Sequence, residues 1–98
     1  MVFSDTNQEL ISQLSEMVDE LFLALDQLGE DTNTCYVYLN KVRNILRAKD
    51  SKGMKNVKDH LMMDFRMIED RQLEGDVLDE IMERIYHHVN SNEVFRWK

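Results

Sequence analysis

Residues 6–28, TNQELISQLSEMVDELFLALDQL, constrain the fold more than any other stretch of this chain. Leu10, Leu14, Met17, Leu21, Ala24 and Leu28 recur at alternating spacings of four and three, the period of one face of an α-helix. Ile11, Val18, Phe22 and Leu25 widen that stripe into a face too broad for one coiled-coil seam, so several other helices must cover it. The opposite face reads Glu9, Gln13, Glu16, Glu20 and Gln27, with an apolar residue, Leu23, set among the acids. A Thr6–Glu9 capping box opens this helix and Gly29 is placed to close it.

Three further amphipathic segments follow, at about 34–48, 54–70 and 76–90, with a tail over 91–98. The second carries Cys35, Tyr38, Leu39, Val42, Ile45 and Leu46 on its apolar face, with Tyr36, Arg43 and Arg47 on a separate flank. The third carries Met54, Val57, Leu61, Phe65 and Ile68, with Met63 and Met67 well away from that stripe. The fourth begins at a capping Asp76 with Asp79 near its positive end, and presents Leu78, Ile81, Met82, Ile85, Tyr86 and Val89. Val94, Phe95 and Trp97 make the tail apolar enough to fold back on the rest. The chain has no proline and three glycines (29, 53 and 75), which favours long helices with short joints. These features predict an all-α fold: one domain, an antiparallel bundle of four helices.

Charge is distributed in blocks. Residues 1–31 hold eight acids and no base, residues 41–58 hold seven bases against Asp50, and residues 59–93 hold ten acids against three bases. The basic block between two acidic ones either cancels their repulsion internally or leaves an acidic surface for a basic partner. No apolar run approaches membrane-spanning length, and acid stands near the amino terminus where a signal peptide would carry positive charge. The single cysteine has no internal partner, so the expected setting is the cytoplasm.

The sequence holds little chemistry. His60 with Asp64 and Glu83 with His87 share helical faces at i, i+4, but His87 lies opposite its helix's core stripe, so no inward-facing metal set forms. No nucleophile–base spacing and no glycine-rich phosphate loop is present, and Cys35 falls on an apolar stripe. The expectation is no catalytic residue, no metal and no cofactor. Nucleic acid is disfavoured by the acidic helices flanking residues 41–58. Binding to another protein remains.

The run Tyr38-Leu39-Asn40-Lys41-Val42-Arg43-Asn44-Ile45-Leu46, a polar break, Phe65, the joint Glu69-Asp70, and then Asp79-Glu80-Ile81-Met82-Glu83-Arg84-Ile85-Tyr86 together resemble a known family. They look like the small all-α immunity proteins that protect bacteria from type VI secretion toxins of the NAD(P)+ glycohydrolase kind. The resemblance implies an inhibitor that binds the catalytic domain of a cognate toxin and blocks access to its dinucleotide. It supplies no contact residues. From the helix faces, the expected contacts are Glu16, Glu20 and Leu23 on the first helix, and Met63, Asp64, Met67, Glu69 and Asp70 on the third. The rival reading is a structural adaptor that forms a homodimer through Met63 and Met67.

Overall fold

A computed structural model describes residues 3–50, 52–71 and 75–95. Four helices carry the chain: α1 (Asp5–Gln27), α2 (Val37–Ala48), α3 (Val57–Asp70) and α4 (Asp76–Ser91). Short 3₁₀ turns at Met54–Asn56 and Glu93–Phe95 precede α3 and follow α4. The protein is an all-α helical bundle. α1 is its spine and packs against both α4 and α2, while α2 packs against α3. No comparable pairing joins α3 to α4, so the ring of helices is left open along that edge.

The wide face of α1 explains its central place. Ile11, Leu14, Val18, Leu21, Phe22 and Leu25 are all buried, and Leu10, Met17 and Ala24 pack at the margin of the core. Of the predicted stripe, Leu28 is exposed, because it is the C-cap residue where the helix unwinds. Gly29 follows at φ 83°, and its N–H donates to the Asp26 carbonyl at 3.0 Å while the Glu30 N–H reaches the Leu25 carbonyl at 3.1 Å. This is a Schellman closure, and the left-handed residue it needs is why glycine stands there. At the other end Ser4 is the cap, its Oγ accepting from the Asn7 N–H, in place of the predicted Thr6–Glu9 box.

The second helix begins later than the sequence predicts. Asp31 accepts hydrogen bonds from the Thr34 hydroxyl and from the Thr34 and Asn33 N–H groups, and these, the hydroxyl foremost, hold its carboxyl below the ordinary range. The turn so formed takes residues 31–35 out of helical conformation. Two predicted environments are therefore exchanged. Cys35 is exposed instead of buried, and Tyr36 is fully buried instead of lying on a flank. The Tyr36 hydroxyl donates to Glu30 at 2.7 Å, and burial followed by that hydrogen bond pushes its pKa up. Arg71, at the end of α3, closes the cluster with Nε 3.0 Å from Glu30.

The fourth helix also departs from expectation at its start. Gly75 is its N-cap and offers no side-chain cap, and Asp76 and Asp79 lie inside the first turn. The carboxylates still favour the positive end of the helix. Beyond α4, Phe95 is fully buried and Val94 packs on the core, as the tail's composition predicts. Trp97 lies outside the described residues. Phe95 meets the ring of His88, whose Nε2 is 2.9 Å from the Leu10 carbonyl, and the two 3₁₀ turns pack together.

Candidate functional site

The open edge between α3 and α4 forms a groove of mixed apolar and acidic character. Met62, Phe65, Arg66, Ile68 and Glu69 line it from α3, and Asp79, Met82, Glu83 and Tyr86 from α4, around a groove of about 530 Å³. Its makeup follows from one spacing used twice. Positions 62, 65, 66 and 69 and positions 79, 82, 83 and 86 each run i, i+3, i+4, i+7, so each set is one flank of a helix. The buried and half-buried members are Met62, Phe65 and Ile68 on one side and Met82 on the other. The rim carries three carboxylates, Glu69, Asp79 and Glu83, against one guanidinium, Arg66. Tyr86, predicted as core, is 51% exposed here. The two methionines give the floor adaptable, polarisable contacts.

Charge pairing separates this acidic surface from the one on α1. Arg84 reaches Glu20 at 2.7 Å from the α4 side, and Arg47 lies 3.6 Å from Asp19 on the α2 side. The acids of α1 are thus partly neutralised within the bundle. Among the described residues, no ion pair holds Glu69, Asp79, Glu83 or Arg66. Arg47 is also the only member of the basic block in an ion pair among those residues, so internal cancellation is confined to a few contacts.

The structure divides the predicted contact residues into three groups. Glu16, Glu20 and Leu23 are exposed on α1, and Leu23 has 60% of its surface open. On α3, Met63 is 51% exposed but Met67 is half-buried against the core, so the two do not form one methionine patch. Asp70 is exposed at the end of α3, and Glu69 alone of the predicted set lines the groove. Asp64 must be removed from the surface set. It is 3% exposed, and its Oδ2 accepts the Leu39 N–H at 2.7 Å, with the Tyr38 amide also directed at it.

Asp64 has a structural task instead. The N-cap of α2 is Tyr36, whose side chain caps nothing, so the free amides of the first turn need an acceptor from elsewhere. Asp64 supplies it from α3, at the positions a local Ser or Asp cap would serve. Burial pushes its carboxyl up, and the Leu39 and Tyr38 amides oppose that rise. His60, one turn earlier, stacks on Tyr38 at 5.4 Å between ring centres. Burial and then Lys41 hold its imidazolium form down. Tyr38, predicted as core, is accordingly only half-buried.

Leu23 is suited to a simple check. Leu23→Glu is expected to change unfolding free energy by no more than about 0.5 kcal/mol, as for surface positions generally. A thermal melt of the variant reads this directly, and a drop of many degrees would place Leu23 in the core.

Among the described residues, no three His, Cys, Asp or Glu side chains are grouped to hold a metal ion. No helix of the described residues is long and apolar enough to cross a membrane. Compared with known proteins, the chain matches no family model, no curated protein and no solved structure.

Proposed function

We propose that this protein is a non-enzymatic inhibitor, an immunity protein that binds the catalytic domain of a cognate secreted toxin in the cytoplasm and occludes it. The observation carrying this reading is the α3–α4 groove, an apolar floor with an acidic rim whose carboxylates no ion pair holds among the described residues. A surface with those properties is suited to a basic partner, whose encounter its field would accelerate. Occlusion asks of the inhibitor only a stable fold and a complementary face, and no chemistry of its own. The resemblance of residues 38–46 and 79–86 to immunity proteins supplies the class of partner, an NAD(P)+ glycohydrolase toxin.

The test begins with retention of partners by the tagged protein from its own organism, with mass spectrometry of what is held. One toxin-domain protein at one-to-one stoichiometry is expected, together with suppression of its NAD(P)+ hydrolysis by stoichiometric amounts of this chain. Recovery of the bait alone, or a retained enzyme that keeps its full activity, would sink the reading.

A further inference from the structure

The geometry points to a basic amphipathic helix of the partner as the occupant of the α3–α4 groove, seated between the two helices as a missing member of the ring. This rests on the reading of the protein as a binding module and names what the groove would hold.

Three observations select that occupant. The first is shape. α1 joins α2 and α4, and α2 joins α3, but α3 and α4 are not closed against each other. A helix laid into such an opening meets ridges on both sides, and its anchors fall at i, i+3 or i+4, and i+7. The two lining stripes, 62–69 and 79–86, each span about 10 Å at the helical rise, which accommodates two turns of a guest. The second is composition. Met62, Phe65, Met82 and Tyr86 offer flexible and aromatic surface to leucine-like anchors. The third is charge. Lys or Arg flanking those anchors would meet Glu69, Asp79 and Glu83, none of which is held by an ion pair among the described residues.

The same charges argue against other occupants. A symmetric dimer built on this groove would bring the three rim carboxylates of one copy against those of the other. A nucleic acid would set its phosphates against the same carboxylates.

The probe is an 18-residue helical peptide with Leu at i, i+3, i+4 and i+7 spacing and Lys elsewhere, compared with its Glu-for-Lys counterpart. Each is titrated into the full chain labelled at its methionine methyl groups. The Lys peptide is expected to shift the Met62 and Met82 signals while leaving buried Met54 and outward-facing Met63 in place. Glu69→Lys combined with Glu83→Lys, both exposed positions, is expected to weaken it at least tenfold, and the Glu peptide is expected not to bind. Equal binding of the two peptides, shifts centred on Met63, or no shift at all would overturn the assignment. So would a dimer that Tyr86→Glu disperses. A natural partner retained equally well by the wild-type chain and the double variant would remove the groove while leaving the binding-module reading intact. If no partner is retained but the Lys peptide fills the groove, that reading falls and the surface assignment stands.

Discussion

Asp64→Ala is expected to lower the unfolding free energy by about 2–3 kcal/mol, although the sequence places this residue among ordinary surface acids. The Leu39 N–H, which Asp64 accepts at 2.7 Å, would lose its partner at a site where water cannot easily replace it. A lost helix cap alone costs about 1 kcal/mol, and leaving buried donors unpaired adds to that. Asp64→Asn keeps an oxygen acceptor and gives up the charge, so it is expected to recover most of the loss.

Acidity gives this prediction a second reading. Burial raises the folded carboxyl above its ordinary value of 3.8, so the native state takes up the proton before the unfolded chain does. The resulting increment of stability is fully present below 3.8 and is lost as pH rises through the folded value. The stability of the wild type relative to Asp64→Asn should therefore increase as pH is lowered from 7 toward 4. Chemical denaturation at several pH values measures it. A flat difference would show that the carboxyl is not held in a desolvated site.

The second large effect is in the spine. Leu21→Ala is expected to cost on the order of 2–5 kcal/mol, because Leu21 is fully buried and its removal leaves a cavity that the neighbouring helices only partly fill. A domain of this size has roughly 5–15 kcal/mol in all, so the variant should melt at least about 8 °C lower. Leu23, two residues on, differs only in direction: it points away from α2 and α4, and Leu23→Glu should leave the melt unchanged. A mild effect at Leu21 would mean that α1 is not the shared wall of the core.

That contrast shows what periodicity makes legible. The phase of the α1 stripe separates Leu21 from Leu23 without any structure, and four such stripes with short joints imply the bundle. Errors arise where a side chain answers a need created elsewhere. Asp31 forms its own turn, which delays α2 by three residues and exchanges Cys35 with Tyr36. Asp64 looks like half of an exposed i, i+4 pair with His60, because the uncapped helix end it serves lies 25 residues earlier. The groove was half legible. Its two i, i+3, i+4, i+7 stripes stand in the sequence, yet Met82 and Tyr86 read as core while α4 is assumed to be covered on every side. Only the packing order shows that α3 and α4 do not pair as closely as the other neighbouring helices do.

The central claim is that the protein acts by holding a partner in that groove. The most direct measurement is the affinity of the retained partner for three chains: the wild type, the Glu69→Lys/Glu83→Lys double variant and Leu23→Glu. A loss of tenfold or more confined to the double variant is the predicted result. Full affinity in the double variant together with a loss in Leu23→Glu would contradict the account and move the contact face to α1.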